Sequence, residues 1–174
     1  MIAENKGYDH SMTKSTNTTG SVSIGDRAPD FTLRDQNGQP VHLADLIGKG
    51  IIVLYFYPKD FSGGCTVEAC SFRDNYEVFK QAGAVVIGVS SDTEESHAGF
   101  AQKHRLPFTL LSDPNAVVQK LYGVPNLLGI VRGRVTYVID QSGTVRYTFS
   151  ALIDGPKHVA ESLRIIRELA AQPT

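Results

Sequence analysis

Both cysteines of this 174-residue chain fall in one stretch, "YPKDFSGGCTVEAC", with Cys65 and Cys70 five positions apart. Pro58 ends the apolar run before it, because proline cannot continue a central strand. Gly63 and Gly64 let the backbone turn tightly and bring bare amides close to anything bound there. Cys65 then falls in the first turn of a helix, where unpaired N–H groups and the helix dipole favour an anion. A thiolate is such an anion, so Cys65 is expected to ionise more readily than a free thiol. Ser62 is placed to cap that turn or to hydrogen-bond the sulfur.

Ionisation alone does not make a catalyst. A free thiol of pKa ~8.5 is a few per cent ionised at neutral pH, and lowering it to ~6 raises the thiolate fraction about 30-fold, roughly 2 kcal/mol. The remainder must come from orienting a substrate and stabilising its developing charge, which the backbone amides of Gly64 and Cys65 together with a cation would do. The C-x₄-C spacing carries a second message. On one ideal helix five residues rise about 7.5 Å and separate the Cα atoms by about 8.6 Å, whereas a disulfide needs less than ~7 Å. Any bond between these cysteines therefore requires a helical turn to open. A hydroperoxide is the oxidant this design suits: thiolate attack on O–O gives a sulfenic acid, and a second thiol condenses with it. Sulfur carries that chemistry without a cofactor.

The elements that must hold this segment can be read around it. "IIVLYFY" (51–57) and "AVVIGVS" (84–90) are continuous apolar runs, expected as strands buried on both faces. Before them, "PDFTLRD" and "PVHL" flank Asn37-Gly38, a two-residue hairpin signal. Phe72, Tyr76 and Phe79 recur at helical spacing, predicting one amphipathic helix from the cysteine segment to Gly83. Asp92 with Glu94 and Glu95 predicts a capped helix over 93–105. "FTLLS" (108–112) is a short strand, and Asp113-Pro114 is expected to open a helix. "RVTYVID" and "TVRYTFS" form a second hairpin, and a last helix runs from about Pro156. The order hairpin, β-α-β-α-β-α, β-β-α predicts an α/β protein with a thioredoxin-like fold and an N-terminal β-hairpin extension. The run "NLLGIV" (126–131) is expected in the core or at an oligomer contact.

Residues 1–24 are polar and rich in Ser, Thr, Asn and Gly, and are expected as a flexible tail before a single domain over 25–174. Lys and Arg total 17 against 18 Asp and Glu, a net charge of -1. That balance excludes a basic groove for nucleic acid and a polybasic membrane anchor. No apolar run reaches the ~20 residues of a bilayer span. The five histidines, His10, His42, His97, His104 and His158, show no ligand clustering, so no metal is expected. With no secretory core and with Glu4 and Asp9 counting against a transit peptide, the expected compartment is the cytoplasm, with the plastid stroma as the alternative.

Beyond these readings, "YFYPKDFSGGCTVEACSFRDNY" resembles the peroxiredoxin active-site signature P-x-x-x-T/S-x-x-C, carried here by Pro58, Ser62 and Cys65. A second cysteine five residues on is similar to the peroxiredoxin Q subfamily, also called bacterioferritin comigratory protein. The likeness runs over about residues 25–170, through "AVVIGVSSD", "LPFTLLSD" and "GRVTYVIDQSGTV". It implies Cys65 as peroxidatic nucleophile, Cys70 as the resolving thiol that closes a Cys65–Cys70 disulfide, Arg134 as the cation, Pro58 as the shield of the site and Ser62 as a peroxide ligand. It also implies regeneration by thioredoxin or a related dithiol protein, and a monomer. Glu68, one turn after Cys65, reads as a solvated or helix-capping acid. Gly63 stands where the family commonly has proline. The competing function is a redox-regulated chaperone or peroxide-signal relay that uses the same thiolate.

Overall fold

Asn37-Gly38 makes the expected turn: strand β1 (Thr32–Asp35) returns as β2 (Pro40–His42), with Gly38 in the left-handed region at φ 75°. The Asp35 carboxylate accepts the Asn37 and Gln39 amides and so ties the turn. After a 3-10 turn at Leu43–Asp45, β3 (Ile51–Phe56) is buried at all six positions. Its alternate residues feed two cores. Ile51, Val53 and Tyr55 pack with Phe72, Phe79, Phe100 and Phe108, whereas Ile52, Leu54 and Phe56 pack with Leu43, Tyr122 and Tyr137. A strand apolar on both faces can only be central.

Helix α1 (Gly63–Asp74) follows and carries both cysteines, then α2 (Tyr76–Gln81). The single helix expected to Gly83 is thus broken at Asn75, whose side-chain amide donates to Ser71 O at 2.9 Å and competes with the backbone ladder. β4 (Ala84–Ser90), α3 (Glu94–His104) and β5 (Thr109–Ser112) come next. The α3 cap is Thr93, accepting from the Ser96 amide at 3.1 Å, rather than Asp92. Helix α4 (Val117–Tyr122) starts later than Asp113-Pro114 suggested, because the Asp113 carboxylate takes the Val117 and Gln119 amides at 2.9 and 3.0 Å.

A small ribbon, β6 (Asn126–Leu127) with β7 (Val131–Arg132), precedes β8 (Val135–Ile139), β9 (Val145–Ser150) and α5 (Gly155–Ala171). The ribbon turns at Leu128 and Gly129, both in the left-handed region, and leaves Leu128 93% and Ile130 83% exposed. Of the two expectations for 126–131, burial in the core is therefore corrected: the ribbon pairs only with itself and stands off the seven-stranded sheet, so its apolar side chains face outward.

The seven-stranded sheet has the order β2-β1-β5-β4-β3-β8-β9, with β3, β4 and β5 parallel and β8 antiparallel to β3. This is the thioredoxin-like arrangement with its N-terminal hairpin on the β5 side. The computed structural model describes residues 20–172, so the expectations for residues 1–19 lie outside the described residues. Val22 is already buried, and its amide donates to Tyr122 O. Among the described residues no helix is long and apolar enough to cross a membrane.

Candidate active site

The end of β3 and the start of α1 aim the Cys65 thiol into the fold, where it is 1% exposed. Ser62 is the helix N-cap in extended geometry (φ -71°, ψ 150°), and its carbonyl accepts the Thr66 amide at 2.9 Å. Its hydroxyl behaves otherwise than expected. Ser62 Oγ donates to Lys59 O at 3.0 Å and neither caps the helix nor touches the sulfur. The amides of Gly63, Gly64 and Cys65 are left without a backbone or side-chain partner among the described residues, which keeps the positive end of the helix open to an anion.

Arg134 reaches this point from the segment between β7 and β8. Its Nη2 donates to Cys65 Sγ at 3.3 Å, Nη1 to Glu68 Oε1 at 2.8 Å and Nε to Leu152 O at 3.0 Å. Three fixed donors orient the planar guanidinium as a single point-charge lysine would not. Gly64 leaves it room, since a Cβ there would lie 3.3 Å from Arg134 Nη2 and press on the guanidinium. Burial works against the Arg134 charge, but Glu68 and Cys65 beside it hold its pKa above the ordinary value.

Glu68 corrects an expectation. It is neither solvated nor a cap but 0% exposed, on the row Cys65, Glu68, Ala69, Phe72 that α1 turns inward. Burial pushes its carboxyl up to about 8, although Arg134 pulls the other way. Its Oε2 is buried without a hydrogen-bond partner, with His158 Nδ1 at 4.0 Å. His158 cannot supply a charge: burial pushes it down to about 4. Its Nε2 faces Ala151 O at 2.9 Å and so carries the proton, while Nδ1 accepts from Thr136 Oγ1 at 2.8 Å. One buried cation thus faces both the Cys65 sulfur and the Glu68 carboxyl, and its charge is divided between them. With Glu68 protonated, the Arg134 charge is available to the thiolate.

Cys70 lies on the same unbroken helix, partly exposed, and both thiols are free. Five residues of helix turn its side chain about 140° from that of Cys65, toward α3, where its Sγ is 3.9 Å from His104 Nδ1.

Residues 24–148 match the AhpC/TSA family. The chain is 52% identical over 151 residues to the chloroplastic peroxiredoxin Q of Triticum aestivum, a match covering 86% of this chain and 69% of that one. It is 51% identical over 147 residues to the chloroplastic peroxiredoxin Q of Arabidopsis thaliana, covering 84% and 68%. Among solved structures it is similar to peroxidoxin BcpB of Mycobacterium tuberculosis, at a TM-score of 0.80 and 36% identity over 85% of this chain and 98% of that one. It is also similar to peroxiredoxin Q of Xanthomonas campestris, at 0.76 and 28% over 86% and 97%. The chain belongs to the peroxiredoxin family, in its peroxiredoxin Q group.

Three of the peroxiredoxin signature residues, Pro58, Ser62 and Cys65, sit on one tight connection, and the structure shows what anchors it. Asp60 Oδ1 accepts from Tyr57 OH at 2.6 Å, and Asp60 Oδ2 accepts from Ser96 Oγ and faces His97 Nδ1, both at 2.8 Å. The Asp60 amide donates to Asp92 Oδ2 at 2.9 Å, and His97 Nε2 meets Leu111 O at 3.0 Å. Asp60, Asp92 and His97 have the types and spacing of metal ligands, but they are engaged with one another and with Tyr57 and Ser96, and so pin the loop to α3. Sequence reasoning missed this knot, and it missed His158 and Thr136. For Glu68 a signal existed, the i, i+3, i+4, i+7 row that starts at Cys65.

Gly63 occupies the first helical position, with open space where a Cβ would stand, no positive φ and no amide partner. That is a position proline accepts, and Ser62 before it is already extended. Gly63→Pro should stabilise the protein by about 0.4–1 kcal/mol in chemical denaturation by restricting the unfolded chain. It should also raise amide protection in the first turn of α1. No change in either would show that this turn is already as rigid as proline makes it.

Proposed function

We propose that this protein reduces hydrogen peroxide and organic hydroperoxides with Cys65 as the peroxidatic thiol and Cys70 as the resolving thiol. A thiol peroxidase is what membership of the peroxiredoxin family makes it, and one observation carries the finer reading: the Arg134 guanidinium 3.3 Å from Cys65 Sγ beside open helix amides. The Cys65 thiolate attacks the outer oxygen of the peroxide, the O–O bond breaks, and the departing alkoxide or hydroxide takes a proton. Arg134 and the amides of Gly64 and Cys65 face the charge that develops, and Pro58 shields the site where β3 ends. Ser62, with its hydroxyl turned to Lys59 O, would have to rotate to bind peroxide. Cys70 then attacks the sulfenic sulfur, water leaves, and a Cys65–Cys70 disulfide remains.

Thioredoxin or a related dithiol protein returns two electrons to that disulfide, and the chain works as a monomer in this scheme. The plastid stroma is the compartment we favour over the cytoplasm, on the plant relatives whose names call them chloroplastic. The test is direct. One equivalent of peroxide should produce one intramolecular disulfide by mass spectrometry, and hydrogen exchange should rise across 65–74 while β3 and β4 stay protected, because the bond cannot close within an intact helix. A disulfide formed without loss of helix protection, or a stable sulfenic acid in the parent chain, would overturn the scheme.

A further inference from the structure

The regeneration step has to begin with a thiolate attacking one sulfur of the disulfide, and the two sulfurs are not equivalent. In the dithiol chain Cys65 is 1% exposed and enclosed by Arg134 and the first turn of α1, whereas Cys70 is partly exposed on the side facing α3, and opening α1 from the Cys70 end leaves that order in place. Attack at Cys70 releases Cys65 as the leaving thiolate, and the Arg134 N–H stands ready to take up its charge. A leaving thiol stabilised as thiolate departs faster.

The surroundings of Cys70 are strongly cationic. Through His104, whose Nδ1 is 3.9 Å from its sulfur, it adjoins an open cleft of about 460 Å³ lined by Arg73, Lys103, His104 and Arg105. Arg73 is paired with Asp74 at 2.9 Å and donates to His104 O at 2.7 Å. Lys103 and Arg105 have no carboxylate partner among the described residues, and Lys103 lies over the Phe61 ring at 5.7 Å. Basic residues in the last turn of a helix ordinarily answer its dipole. Here Lys103, His104 and Arg105 form the last turn and C-cap of α3, but Arg73 comes from α1, so basic groups of two helices line one cleft.

We propose that this cleft docks the reductant, and that the reductant is a dithiol protein with carboxylates around its attacking thiol. The proposal rests on Cys70 being the resolving thiol. Acidic side chains of the partner would meet Lys103 and Arg105, which sit at the C-terminal end of α3 and keep their place while α1 opens. The partner's thiolate attacks Cys70 Sγ, the Cys65–Cys70 bond breaks, and Cys65 leaves as thiolate from a mixed disulfide between the partner and Cys70. The partner's second thiol gives up its proton and attacks its own mixed-disulfide sulfur. Cys70 departs, takes a proton, and the partner is left oxidised to an internal disulfide.

The experiment compares the parent chain with Lys103→Glu/Arg105→Glu and the milder Lys103→Gln/Arg105→Gln, both exposed pairs outside the catalytic machinery. Peroxide turnover is driven either by a thioredoxin with an acidic active-site rim or by uncharged dithiothreitol. With the protein donor at low salt, its KM should rise about tenfold in the Glu pair and less in the Gln pair. Parent and variants should converge near ~0.5 M salt, where the screening length falls to a few ångströms. Dithiothreitol-driven turnover and the single oxidation by peroxide should be unchanged. Equal KM values for the protein donor at low salt would overturn the docking site. A parent chain that fails to turn over even with dithiothreitol would instead overturn the peroxidase reading beneath it.

Discussion

Cys65→Ser should abolish peroxide reduction, by at least about 10⁴-fold, because a serine hydroxyl is not ionised near neutral pH and has no comparable affinity for peroxide oxygen. The replacement is close to isosteric, and Cys65 lies in a site that already holds polar groups, Arg134 and Glu68, so the variant should fold. Cys70→Ser should behave differently. The nucleophile, Arg134 and the open amides are intact, so one equivalent of peroxide is consumed at the parent rate. The product is then a sulfenic acid with no thiol on the chain to condense with, since Cys65 and Cys70 are the only two cysteines. A dicarbonyl reagent should label it stoichiometrically, and turnover with a dithiol protein should fall by about tenfold or more. Stopped-flow peroxide consumption and mass spectrometry read both outcomes. If Cys70→Ser turned over like the parent, the resolving thiol would have to be supplied by another molecule.

The legible part of this protein is the part that local chemistry writes. Two apolar runs announced β3 and β4, Asn37-Gly38 announced the first hairpin, and the Pro, Gly-Gly and Cys sequence placed a thiol at a helix start. What stayed hidden depends on contacts between distant residues. Glu68 lies on the inward row of α1, yet a carboxylate in a helix reads as solvent-facing because burying one without a cation is costly. Its cation is Arg134, 66 positions away. Arg134 by itself reads as an edge charge, and only the family pattern singled it out. The break at Asn75 was hidden for a different reason. Apolar periodicity runs straight through it, and the deciding event is a side-chain bond to Ser71 O that competes with the helix.

Arg134→Met should cost about 10²–10³-fold in the rate of the first oxidation, the usual consequence of removing one charge-stabilising donor group. Arg134→Lys should recover only part of this, because a lysine cannot serve Cys65, Glu68 and Leu152 O together. The stability effect depends on how the site shares its negative charge, and Glu68→Gln separates the possibilities. Burial holds the Glu68 carboxyl up at about 8 against an ordinary 4.5. An acid whose folded pKa is raised favours the folded state below 4.5 and loses that contribution as pH rises toward 8. Glu68→Gln keeps an oxygen for Arg134 Nη1 and removes the titration. The variant should therefore gain stability relative to the parent between about pH 5 and 8, seen as a rising difference in urea midpoint. Its rate of oxidation by peroxide should also change less with pH over that range. A constant midpoint difference would mean that Glu68 is ionised throughout and that Arg134 neutralises it. The guanidinium would then have less charge left for the thiolate, and the reactivity of Cys65 would have to rest on the open amides of α1.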